Sequence, residues 1–414
     1  MRLVAVADTD SYVKWAAALL GTAPRDWHVS LLVLDTPVSV SEAQLAAAVT
    51  GSGIGADAVR RVSFDEFERM LSSGPPDAVL LAARGPLVRV LARSVAAAAG
   101  RPVIVSGLPG ISIPATRKAL IYRTQADLFV LHSHREVREF SALAALGGSD
   151  ASFALATLPF AAHAQREGLS HPRGAAGGDL VFAAQAKVPS AREDRALVAG
   201  LLIEAAHADP RRRVVLKLRG GRGEHQTHAE ADPYPDLLAE RDDVPPNLVT
   251  STAPMSTALD TAQGLVTISS TAAIEALARG IPVIALDTFG VSDDLINRVF
   301  EGSGLLGSAA DVVGRRFRHP EPSWVRDNYL HDAADDDWSG RLEALVAERR
   351  AGRLVPRAAR ARRGGALRDA WERKLVLGPM DRTASGALAF AIGMPLRAVV
   401  RVVQRTRRRL QTAA

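Results

Sequence analysis

Through the first half of the chain, short runs that are apolar at every position alternate with stretches whose apolar residues recur every three to four positions. The uniformly apolar runs are Leu3–Ala7, Val29–Leu34, Ala78–Ala82, Val103–Ser106, Leu128–His132 and Ala154–Leu158. Strands covered on both faces read this way, because neither side of the pleat meets water. The stretches with helical spacing include Tyr12–Leu20, Ser41–Val49, Leu87–Ala98 and Arg135–Leu146. Strand and helix in alternation predict a parallel, doubly wound sheet.

The pattern breaks between Ala161 and Asp179, where His163, Ser170, His171-Pro172 and the glycines 174, 177 and 178 have the composition of a linker. It then restarts. Strands are expected at Leu180–Ala184, Val214–Leu218, Leu248–Thr250, Leu265–Ile268 and Pro282–Leu286. Helices are expected at Ala191–Ala208, Met255–Thr261, Thr271–Arg279 and Asp293–Phe300, with a polar loop from Gly220 to Asp232. The fold class is therefore α/β, with two Rossmann-like domains, residues 1–165 and 178–345, facing across a cleft. Residues 346–414 form a basic, helical tail.

Charge sharpens that division. The 414 residues carry a net charge of +6, yet from Arg349 onward 17 Lys/Arg meet only three acids, Asp369, Glu372 and Asp381. The body is thus acidic, and with aromatics at 5% it does not read as a nucleic-acid surface. The absence of cysteine excludes disulfides, thiolate metal sites and cysteine nucleophiles. No apolar run is long enough to span a bilayer, and the N-terminal run reads as a strand rather than a signal peptide. The expected location is the cytoplasm. Residues 385–410, apolar first and then basic, fit an amphipathic helix at the inner, anionic face of the cell membrane; a solvated tail has the same composition.

The most informative segment runs from Val266 to Ile284. A buried strand ends at Ile268, three hydroxyl residues follow (Ser269, Ser270, Thr271), and a helix starts with Ser270 or Thr271 as its N-cap. Unpaired N–H groups at such a helix start attract anions, and the hydroxyls can donate to phosphate oxygens. Glu275, one turn on, is placed to reach a ribose diol; equally, an acid there simply complements the helix dipole. Gly280 closes the helix and Pro282 opens the next strand.

Residues Ser269 to Ile284 resemble the nucleotide-binding segment of GT-B glycosyltransferases, especially the bacterial capsule-polysaccharide group that includes polysialyltransferases and Kdo transferases. That group holds the donor phosphate with a Ser/Thr motif and carries a Glu before Gly-x-Pro-Val, here Glu275 and Gly280-Ile281-Pro282-Val283. The resemblance implies a nucleotide-sugar donor, CMP- or UDP-linked, a glycan or lipid-linked acceptor, and no resident cofactor or metal. The group's His-Pro motif is absent: the strand Val214–Leu218 runs into Arg219 and Gly220, so Lys217 and Arg219 stand where a cation for the leaving phosphate is needed. UDP-sugar epimerases share fold and segment, which keeps a nucleotide-sugar 2-epimerase, and a non-catalytic scaffold, as alternatives.

Further candidates lie in loops expected to face the cleft. Asp10, after the first strand, is the candidate base for an acceptor hydroxyl, with Asp8 second and His132 as another base. The alternative is that Asp10 or Ser11 simply caps the helix that starts near Tyr12. Gly107 and Gly110 allow close backbone approach to a ligand, and Gln185 and Lys187 border the donor. His225 and His228 lack the His-Glu-x-x-His pattern of a helical zinc site.

Overall fold

The computed structural model describes residues 1–38, 40–158, 161, 178–218, 231–359 and 364–395. Arg219, His225 and His228, most of the linker and the basic end of the tail lie outside the described residues.

Two fully parallel sheets form the body. The first contains β1 (Arg2–Ala7), β2 (His28–Leu34), β3 (Val59–Val62), β4 (Ala78–Ala82), β5 (Val103–Gly107), β6 (Leu128–Leu131) and β7 (Phe153–Leu155), in the order β3-β2-β1-β4-β5-β6-β7. The second contains β8 (Asp179–Ala183), β9 (Val214–Lys217), β10 (Leu248–Ser251), β11 (Ala262–Thr267), β12 (Val283–Leu286) and β13 (Leu306–Gly307), ordered β10-β9-β8-β11-β12-β13. Every residue of β4, β5, β6 and β12 is buried, as their continuous apolar sequence requires. Each sheet carries a separate apolar cluster on each face.

One expected helix is absent. Residues 293–296 form turns, and only Arg298–Phe300 is helical, as a single 3₁₀ turn. Asn297 explains this: its Oδ1 accepts from Ser292 N–H at 2.9 Å and its Nδ2 donates to Gly290 O at 2.9 Å. Those bonds close a loop in which Ile296 takes φ 55°, incompatible with a right-handed helix.

The chain then crosses back. Helix Trp338–Arg350 packs on the first sheet, with Trp338, Leu342 and Val346 inside the cluster built on β1 and β2. Trp338 meets Trp27 edge to face at 5.7 Å. Sequence order had put most of this helix with the second half. Helix Gly365–Leu377 also docks on the first half: Leu377 is fully buried beside Leu87 and Leu91, and Arg93 pairs with Asp369 and Glu372. Residues 384–395 are helical. They turn Gly386 and Ala389 inward and leave Leu388, Ile392 and Met394 exposed. Among the described residues no helix is long and apolar enough to cross a membrane.

Candidate functional site

Both sheets reverse strand order once, between β1 and β4 and between β8 and β11. Helices leave such a point toward opposite faces, so a crevice opens beyond the carboxyl ends of the two strands. Asp8 follows β1 and Arg84 follows β4. Arg84 Nε donates to Asp8 Oδ2 at 2.6 Å, and its backbone N–H donates to Oδ1 at 3.2 Å. Burial raises the Asp8 carboxyl pKa, with Arg84 acting against it. In the second half, Gln185 follows β8 and Ser269 follows β11. Ser269 N–H donates to Gln185 Oε1 at 3.0 Å, and Gln185 Nε2 donates to Ser269 Oγ at 3.0 Å. Each crevice floor is thus tied across by one polar pair.

The hydroxyl segment is built from local bonds. Thr267 Oγ1 accepts from Ser270 N–H at 3.1 Å, and Ser270 Oγ accepts from Ala272 N–H at 3.2 Å. Thr271 occupies the N-cap position of helix Ala272–Ala278 but makes no side-chain capping bond. It abuts Gly110 of the first half, where an added Cβ would stand 3.0 Å from Thr271 Oγ1. Glu275, almost buried, has Oε2 3.9 Å from Lys14 Nζ and Oε1 3.8 Å from Arg279 Nη2. Lys14 lies on helix Asp10–Leu20, which leaves β1. The loops after β1 and β5 and the segment after β11 therefore face one another.

The other expected residues divide. Asp10 opens helix Asp10–Leu20 half-buried, with Ser11 Oγ donating to its Oδ1 at 3.4 Å. Lys187 is exposed, while Lys217 ends β9 buried and donates to Leu218 O. Gly107 is not open to a ligand: a Cβ there would lie 2.5 Å from the Trp15 indole and 2.8 Å from Val130 O. His132 is wholly enclosed. Its Nδ1 donates to Ala156 O at 2.8 Å, and its Nε2 accepts from Trp15 Nε1 at 2.6 Å. Burial pulls its pKa down to about 4. Both nitrogens are engaged, which leaves no lone pair for an acceptor hydroxyl and makes His132 a packing residue.

Two residues with no sequence signal, Arg84 and Tyr329, tie the site together with Glu136, which the sequence marks only as part of the cluster His132–Glu136 without a role. Glu136 is fully buried at the start of helix His134–Leu146. It accepts from His132 N–H at 2.8 Å, Ser112 N–H at 2.8 Å and, across the halves, Tyr329 O–H at 2.5 Å. Burial pushes its carboxyl up to about 7 against those three bonds. Local spacing hides this role, because Ser133-x-x-Glu136 imitates a capping box. Ser133 Oγ does accept from Glu136 N–H at 3.0 Å, but the carboxylate turns elsewhere. Among the described residues no group of three His, Asp or Glu is arranged to hold a metal ion.

Comparison with known proteins places this geometry in context. A family model described as "Putative glycosyltransferase (DUF6716)" matches residues 3–345. No curated protein matches the sequence. Among solved structures, the S. aureus MnaA–UDP co-structure superposes with a TM-score of 0.52 at 10% identity, covering 86% of this chain and 99% of that one. A Listeria monocytogenes structure described as a "putative UDP-N-acetylglucosamine 2-epimerase" gives 0.51 at 11% identity, covering 86% and 98%. At such identities the likeness shows the fold: two facing parallel-sheet domains in the GT-B arrangement, followed by C-terminal helices.

Proposed function

The chain belongs to the family described as "Putative glycosyltransferase (DUF6716)", and from that premise we propose that it transfers a sugar from a nucleotide-sugar donor to a glycan or lipid-linked acceptor. The observation that carries this reading is the pairing of the two crevices. Ser269–Glu275, after β11, faces Lys14 and Gly110 of the first half. The donor diphosphate binds beside Ser270 and Thr271, and Glu275 takes the ribose, exchanging Lys14 for a sugar hydroxyl. Lys187 and Lys217, with Arg219 two residues after Lys217 in the sequence, supply the positive charge that stabilises the leaving nucleotide, and Gln185 offers an uncharged amide beside Ser269. Asp10 accepts the acceptor's proton, since Asp8 is buried and tied to Arg84. UDP is the preferred nucleotide: the His-Pro motif of the CMP-sugar group is absent, and the S. aureus structure with the same fold holds UDP.

A membrane-borne acceptor fits a second observation. Leu388, Ile392 and Met394 are 59%, 44% and 41% exposed on residues 384–395, directly before a sequence carrying Arg401, Arg405 and Arg407–Arg409. Apolar side chains in the interface and arginines at anionic headgroups would hold the enzyme on the inner face of the membrane.

Thermal shifts with UDP, CMP, GDP and their sugars test the donor site. A ligand at a hundredfold excess over Kd stabilises by about 2.7 kcal/mol. UDP is expected to raise Tm in the native chain and to lose that effect in Ser270→Ala and Glu275→Ala. Absence of a shift with every nucleotide would overturn the reading. An epimerase would instead invert C2 of a UDP-sugar with no acceptor present, which NMR of the sugar detects.

A further inference from the structure

Docking of helix Gly365–Leu377 encloses a pocket on the carboxyl edge of the first sheet, separate from the Ser269–Glu275 segment. The cavity measures 460 Å³. One wall comes from Arg84, which follows β4, from Arg89 on the next helix, and from Tyr122. The opposite wall is Arg368, Trp371 and Glu372 of the docked helix. Arg84 also holds Asp8, which follows β1, so the pocket shares Arg84 with the crevice of the first half.

Its chemistry is that of an anion site. The Arg89 guanidinium lies 4.6 Å over the Tyr122 ring, and that of Arg368 lies 4.7 Å over Trp371. A guanidinium held flat on a ring loses less freedom when its N–H fork engages a carboxylate or phosphate. Glu372 accepts from Arg89 at 3.5 Å, Arg93 at 3.3 Å and Arg368 at 3.2 Å, so among the described residues three cations share this carboxylate. Among the described residues lining the pocket, three guanidinium groups, Arg84, Arg89 and Arg368, face one carboxylate, Glu372. The surplus is positive and concentrated on the pocket walls.

We infer that this pocket is the acceptor subsite and that it takes an anionic saccharide, one bearing a carboxylate or a phosphate. Only the word acceptor rests on the transferase reading; anion recognition stands on the pocket itself. The C-terminal helix is then a wall of the binding site, contributing Arg368 and the ring that orients it.

Isothermal titration of the full chain with glucuronic acid, glucose 1-phosphate and maltose tests this. Either or both anionic sugars bind at least tenfold tighter than maltose, and the preferred one identifies carboxylate or phosphate as the source of charge. Arg368→Gln weakens that binding about tenfold. Trp371→Phe, which keeps a ring under Arg368, retains most of it. Arg89→Gln serves as the second variant if Arg368→Gln fails to fold, and a loss of similar size is expected. Equal binding of maltose and both anionic sugars, no binding of either anionic sugar, or unchanged affinity in the arginine variants would overturn the proposal. A missing UDP shift alongside arginine-dependent anion binding would remove the transferase reading and leave the anion pocket standing.

Discussion

A single hydrogen is all that the space at Gly107 admits, because the Trp15 indole and Val130 O close it from both sides. Gly107→Ala should therefore lower unfolding stability by about 2 kcal/mol through overpacking, measured by denaturant titration. The same push would disturb Trp15, whose N–H donates to His132. The sequence places Gly107 and His132 at strand ends, where the structure has them. It did not show that a tryptophan from the first helix fills the space between them, since that contact joins residues 117 positions apart. Asp8 was legible only as a carboxylate near the site; that Arg84 ties it down depends on β4 lying beside β1, a pairing no local spacing reveals.

Central strands were readable because burial on both faces leaves an unbroken apolar run, as in Ala78–Ala82 and Val283–Leu286. β3 escaped notice because it is an edge strand carrying Arg60 and Arg61, and charge at an edge looks like any solvated surface. The segment 384–395 shows the converse. Its pattern announced apolar surface, but only the fold reveals which residues face out. The small residues Gly386 and Ala389 pack inward, Phe390 is half-buried, and Leu388, Ile392 and Met394 are left to solvent. Leu388→Gln together with Ile392→Gln should reduce co-sedimentation with phosphatidylglycerol vesicles at least tenfold, given the transfer cost of two such side chains. Equal sedimentation of variant and native chain would dismiss the membrane contact.

The two halves meet through a buried acid. Glu136 of the first half and Tyr329 of the second share a hydrogen bond of 2.5 Å, flanked by Arg138 on Asp327. The Glu136 carboxyl titrates at about 7 in the folded chain against an ordinary 4.5. Its contribution is fully present below about 4.5 and is lost as pH rises through about 7. Tm should fall across that window, and Glu136→Gln should flatten the slope whatever it does to the absolute value. Burial alone would lower the pKa of nearby His331, but its bonds to Asp336 and Asn328 outweigh that and raise it. His331 adds a loss of the same sign as pH rises through its folded pKa, so a residual slope remains in the variant. Helix Trp338–Arg350 gives the molecule a further property, one of timing. Trp27 donates to Glu343, 316 positions later, and its ring waits for Trp338. As the chain leaves the ribosome, the first sheet can pair its strands long before it can cover that face. That face of the first sheet is thus covered only once Trp338–Arg350 has been synthesised, and a chain stopped before Trp338 would carry an open apolar seam on it.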